Sequence, residues 1–166
     1  MVIKLDKVLG LEDGEHEFNF ETDAAGIGLD VKDFEGRPVF ENPIMTDVLM
    51  TKTSHVYHIK IKSAAEIRSP CDRCLEEVNR SLESSLELVY TDLKNRAEWG
   101  DDGEGIRLID VQRNDIILDK DVADMLLLDL PSKVLCREDC KGLCVQCGTN
   151  LNEETCEHQE AHFEEQ

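Results

Sequence analysis

Positive charge is scarce in this chain. Lys and Arg number 18 against 37 Asp and Glu, which leaves a net charge of −19 at neutral pH. A grip on a phosphate backbone needs clustered cations that release counterions, so the deficit disfavours that mode over most of the surface. It suits contact with basic partners and serves solubility equally well. Aromatic residues are also few, at 5%, and no strand face is rich in Phe and Tyr of the kind that stacks unpaired bases. Long apolar runs are missing. The longest, Met125 to Leu128, is far too short to cross a bilayer. The opening MVIKLDKVLG lacks both the apolar stretch and the small-residue cleavage site of a secretory signal, so a reducing cytoplasm is the expected compartment. There is no H-E-x-x-H, no serviceable Ser/His/Asp order and no Asp/Glu/His cluster at metal spacing. Gly26-Ile27-Gly28 lacks the third glycine and the basic residue of a phosphate loop. No internal repeat is present. A non-enzymatic protein is therefore expected.

Cysteine is abundant. Five of the seven lie in CREDCKGLCVQCGTNLNEETCEH: Cys136, Cys140, Cys144, Cys147 and Cys156. Cys144-Val145-Gln146-Cys147-Gly148 has the form of a metal knuckle, in which a tight turn aims two thiolates at one ion. A second C-x2-C, Cys71-Asp72-Arg73-Cys74, lies upstream, and paired units of this kind are a strong zinc signal. Disulfides are the rival reading, disfavoured by a reducing compartment and an odd count. Redox-active pairs are another, but neither pair opens a helix after a strand. The preferred ligand set for a structural zinc is Cys140, Cys144, Cys147 and Cys156, because its loops are short and closure entropy grows with length. The rival set joins Cys71 and Cys74 to Cys144 and Cys147. His158, two residues after Cys156, is a further candidate ligand, and Cys136 is a candidate ligand or a free buried thiol. One site is the expectation; a second ion would need the 71/74 pair to recruit ligands of its own.

Periodicity indicates an α+β fold, mainly antiparallel, with one principal C-terminal helix and a cysteine-rich zinc-knuckle tail. Residues 1–5, 15–21 and 44–51 alternate like half-buried strands. In 55–68, Tyr57, Ile59, Ile61, Ala65 and Ile67 share one parity, and His58, Lys60, Lys62, Glu66 and Arg68 share the other. Leu82, Leu86, Leu88 and Tyr90 alternate in the next run, so the two should pair around a tip carrying Cys71 and Cys74. Residues 92–105 are acidic and glycine-rich, with Trp99 alone among them, and read as a solvated loop. A strand is expected at 106–111. Leu118, Val122, Met125 and Leu126 fall on one helical face, with Asp119 or Asp121 as the cap and Leu130-Pro131 as the stop. The expected division is a β-rich domain over 1–135, with its packing helix near 119–129, and a knuckle segment with an acidic tail over 136–166.

The run from Cys140 to Asn152, CKGLCVQCGTNLN, resembles the C-x-G-L-C-x-x-C-G-x-N-L-N stretch of the YceD family, the large ribosomal RNA subunit accumulation proteins of bacteria and plastids. Cys71 to Leu75 resembles that family's C-x-R-C-L, and Leu128 to Pro131 its L-x-L-P after an acidic helix. The likeness covers about residues 44–158. It implies a role in keeping 23S rRNA at normal levels, and so in large-subunit assembly; no catalytic residues transfer. Many members end the motif C-x-C, where this chain has Cys156-Glu157-His158, so the site closes with His158 or with Cys156 alone. The partners implied are ribosomal RNA or large-subunit ribosomal proteins, reached through a basic protein. The alternative is an acidic zinc-stabilised adaptor with no RNA contact. A metal-dependent hydrolase or nuclease ranks last, because four thiolates leave no open position for water.

Overall fold

The computed structural model describes residues 1–4, 12–91, 106–109 and 115–158. Trp99 and the rest of the expected loop, together with the end of the acidic tail, lie outside the described residues. Alternating sequences dominate, and they form strands: β1 (Val2–Lys4), β2 (Gly14–Thr22), β3 (Ile44–Thr53), β4 (Val56–Pro70), β5 (Glu77–Thr91), β6 (Ile106–Leu108) and β7 (Asp115–Ile117), followed by helix α1 (Asp119–Asp129). Five strands make one sheet in the order β2-β3-β4-β5-β6, and β1 pairs with β7 in a separate two-stranded ribbon. All pairs are antiparallel except β5 with β6. An antiparallel-rich sheet with one α-helix is the architecture that the period-2 stretches imply.

β4 and β5 form the spine. Their 15-residue strands pair without interruption from Val56 opposite Thr91 to Pro70 opposite Glu77. The parity expected from the sequence holds along β4. Tyr57, Ile59, Ile61, Ala65 and Ile67 are buried, and His58, Lys60, Lys62 and Glu66 are exposed. Among the described residues, the buried core lines one face of the sheet. Helix α1 closes that face, burying Val122, Ala123, Met125 and Leu126 among Ile44, Val48, Ile59, Ile61 and Leu88.

The start of α1 differs from the capping expectation. Leu118 occupies the N-cap, with no side-chain cap hydrogen bond. Asp121 sits in the first turn but turns inward; it is only 4% exposed. There it accepts from the Arg107 guanidinium and from the Tyr90 hydroxyl, 3.3 Å away. A buried carboxylate needs such partners, and the charge on β6 draws it away from the helix end. Burial, reinforced by the Asp121 charge, raises the Tyr90 hydroxyl's pKa. The helix ends at Leu130, which is extended before Pro131 as a residue preceding proline should be.

Candidate metal centre

The tip of the β4–β5 hairpin is a knuckle. The Leu75 N–H donates to the Cys71 carbonyl at 2.9 Å, and Leu75 itself is left-handed, with φ +63°. Past α1, the chain returns to this tip. The Asp72 N–H donates to the Val134 carbonyl at 2.8 Å, and the Val134 N–H donates back to Asp72 Oδ2 at 2.6 Å. Leu143 N–H then donates to the Arg73 carbonyl at 3.1 Å, and Arg73 Nη1 to the Cys140 carbonyl at 2.7 Å. Gly142, with φ +78°, makes this approach possible: a Cβ there would stand 3.0 Å from the Arg73 carbonyl oxygen.

The docking brings four sulfurs together. Cys71, Cys74, Cys136 and Cys140 have ligand atoms all within 4.8 Å of one another. Cys71 and Cys140 lie 3.8 Å apart at sulfur, and Cys74 and Cys136 lie 3.5 Å apart. A tetrahedral ion with metal–sulfur bonds of about 2.3 Å needs sulfur separations of about 3.8 Å, and disulfide sulfurs would be about 2 Å apart. All seven cysteines are free thiols. Cys71, Cys74 and Cys140 are buried, and Cys136 is partly so. Donors face the sulfurs: the Arg73 N–H reaches Cys71 at 3.5 Å, and Asn152 Nδ2 reaches Cys140 at 3.3 Å.

A second group lies on the tail alone. Cys144, Cys147, Cys156 and His158 also hold their ligand atoms within 4.8 Å. A short hairpin supports them, closed by the bridge between Leu143 and Asn150. Here Cys144 is buried, Cys156 partly buried, and Cys147 and His158 exposed. The Thr149 hydroxyl lies 3.2 Å from the Cys147 sulfur.

The quartet preferred from sequence, Cys140, Cys144, Cys147 and Cys156, is thus divided between two groups, and the rival set of Cys71 and Cys74 with Cys144 and Cys147 is not assembled either. Cys136 and His158 each complete a group of four. The grouping departs from the short-loop expectation for a physical reason. Loop cost rises only logarithmically, by about 0.6 kcal/mol per doubling, and strand pairing together with the Asp72–Val134 contacts already brings the tip and the tail together. The signal available in the sequence was arithmetic: seven cysteines and one adjacent histidine make two sets of four.

A family model described as large ribosomal RNA subunit accumulation protein YceD matches residues 59–166. The matched stretch contains all of the hairpin but Val56, Tyr57 and His58, together with the helix and both cysteine groups. The chain belongs to the YceD family. This YceD-family chain is 27% identical over 167 residues to the Arabidopsis thaliana large ribosomal RNA subunit accumulation protein YCED homolog 1, chloroplastic; the match covers 81% of the chain and 49% of that protein. It is 29% identical over 129 residues to an uncharacterized protein of Mycobacterium leprae, covering 76% of the chain and 56% of the relative. An uncharacterized Mycobacterium tuberculosis protein is 34% identical over 93 residues, covering 55% of the chain and 43% of the relative. The chain spans about half the length of the curated relatives it matches. No solved structure matches it.

Proposed function

We propose that this chain is a non-enzymatic factor that supports 23S rRNA accumulation during assembly of the large ribosomal subunit, with a structural zinc ion held by Cys71, Cys74, Cys136 and Cys140. The family match over residues 59–166 carries this reading, and the plastid relative's name points the same way. The zinc reading draws support from the ligand set. Four sulfurs, three of them buried, fit a closed structural site with no open position for a reacting water. An ion there would fasten the tail to the hairpin tip and fix a surface built from both. We place its action in the cytoplasm. Among the described residues, no helix is long and apolar enough to cross a membrane. We place the functional division at about residue 135, between the β-rich body and the cysteine-rich segment.

Deleting the gene in its host, with 23S and 16S rRNA quantified together, is the test. We expect 23S rRNA to fall relative to 16S, restored by the wild-type chain and not by a Cys71→Ser/Cys74→Ser variant. An unchanged 23S level in the deletion strain would overturn the role. Full rescue by that double variant would overturn the part assigned to the metal.

A further inference from the structure

We propose that Cys144, Cys147, Cys156 and His158 form a second metal site, which takes a divalent ion of the zinc class separately from the buried four-cysteine group and exchanges it faster. This deepens the structural-zinc reading above, and the experiment below separates the two.

Three observations lead here. The first is convergence: four ligand atoms of the types that suit a borderline-soft cation lie within 4.8 Å of one another on a segment of fifteen residues, 144–158. The second is that the two knuckles share a backbone. In each, the residue after the second cysteine donates its N–H to the carbonyl of the first, Leu75 to Cys71 at 2.9 Å and Gly148 to Cys144 at 2.8 Å. In each, that residue is left-handed, at φ +63° and φ +75°. Leu75 adopts this conformation against the preference of its side chain; Gly148 adopts it freely. The turn that presents Cys71 and Cys74 to one centre therefore presents Cys144 and Cys147 to another. The third is that the surrounding bonds hold the hairpin shut on itself. The Cys144 N–H donates to the Thr149 carbonyl at 2.8 Å, and the Leu151 N–H donates to the Gly142 carbonyl at 2.9 Å. A turn at Asn150, whose carbonyl accepts from Glu153 and Glu154, sends the chain back toward Cys156.

The exchange rate follows from exposure and charge. Cys147 and His158 are exposed and Cys156 is partly so, whereas the first group buries three of its four sulfurs. A chelator can therefore reach the second ion from solvent. Three thiolates and a neutral imidazole also place one less negative charge around the ion than four thiolates do, and so hold it less tightly.

The full chain, produced in zinc-replete, reducing medium, should carry about two zinc ions by elemental analysis. A colorimetric chelator should remove them in two phases of equal size, one ion fast and one slow. Cys147→Ser and His158→Ala both replace exposed side chains, so the fold should survive. Each should abolish the fast phase and leave the slow ion in place. Cobalt titration should show two spectrally distinct equivalents, the second altered by His158→Ala. A single release phase untouched by both variants, whatever the ion count, or a Cys144–Cys147 disulfide in place of metal would overturn the proposal. Retention of the fast ion alone would overturn the structural-zinc reading and leave this one standing.

Discussion

At the scale of single residues, the chemistry rests on sulfurs that cannot all be charged at once without a cation between them. Burial alone would push the Cys71 thiol up, but N–H groups of Cys74, Arg73 and Cys136 outweigh it and lower it to about 6. Burial, reinforced by the Cys136, Cys71 and Cys140 thiols, pushes Cys74 up; burial, with Cys140 and Cys71, pushes Cys136 up against an opposing bond with Cys74. In the other group, the Thr149 hydroxyl and N–H, with His158, lower Cys147 to about 6, while burial and Cys144 raise Cys156. Close thiols that share protons in this way are poised to release them to an arriving ion. Both lowered values lie below the ordinary thiol value of 9.0, so ionisation of these two sulfurs favours the folded state. That contribution is complete above a pH of about 9 and is lost as pH falls through about 6. In reduced, metal-stripped protein, ultraviolet thiolate absorbance should therefore persist at neutral pH and disappear through about pH 6. Cys71→Ser and Cys147→Ser should each remove part of it. Thiolate signal that emerges only in alkali would contradict these assignments. Cys71→Ser should also lower bound zinc by one ion per chain and leave the second in place; loss of both would show that the two groups are one site.

At the scale of elements, the hairpin was legible and its company was not. The parity of Tyr57, Ile59 and Ile61 against Lys60 and Lys62 defines β4, and the C-x2-C between two alternating runs marks the tip. Helix α1 was legible from Leu118, Val122, Met125 and Leu126, whose spacing matches the face it buries. What pairs at a distance leaves no periodic trace. The antiparallel partnership of Val2–Lys4 with Asp115–Ile117 and the parallel joining of Ile106 to Val89 depend on packing across long separations. The docking of tail on tip depends equally on non-local contacts, among them the left-handed Gly142 against Arg73. Gly142→Ala tests that contact. Alanine at φ +78° should cost about 1–2 kcal/mol in backbone strain, and its methyl group would press on a carbonyl that has little room to give. Denaturant unfolding of the metal-loaded chain should show at least that loss, with faster release of the slow ion. A midpoint equal to wild type would mean that the tail does not bear on the tip through Gly142.

At the scale of the whole molecule, charge bears on how the proposed role in rRNA accumulation could be carried out. The outer face of the sheet carries His58, Lys60, Lys62 and Arg68 in register, as alternation implies. Two of its cations are met by acids: Lys60 lies 3.1 Å from Glu87, and Arg68 is held between Glu41 and Glu77. Arg73 and Arg80 do not join this patch. Arg80 falls opposite Ile67, on the other parity, and donates to the Leu135 carbonyl at 2.6 Å; Arg73 donates to the Cys140 carbonyl at 2.7 Å. Exposed pairs contribute little stability, about 0–1 kcal/mol each, but they cancel the field that a phosphate backbone would feel. Against a total of −19, the remaining positive charge is too thin to hold RNA by counterion release. The chain alone should therefore bind 23S rRNA fragments no better than about micromolar at physiological salt. Association in cells should run through a basic protein or an assembly intermediate, and it should weaken with added salt as charges are screened beyond about 8 Å. A gel shift with purified 23S fragments, with and without Lys60→Glu, Lys62→Glu and Arg68→Glu combined, checks this. Weak binding that the triple variant leaves unchanged is the expected result. Tight, sequence-selective binding by the chain alone, lost in the triple variant, would instead make this sheet face the RNA site, and the ion pairs with Glu41, Glu77 and Glu87 would then be contacts that RNA phosphates displace.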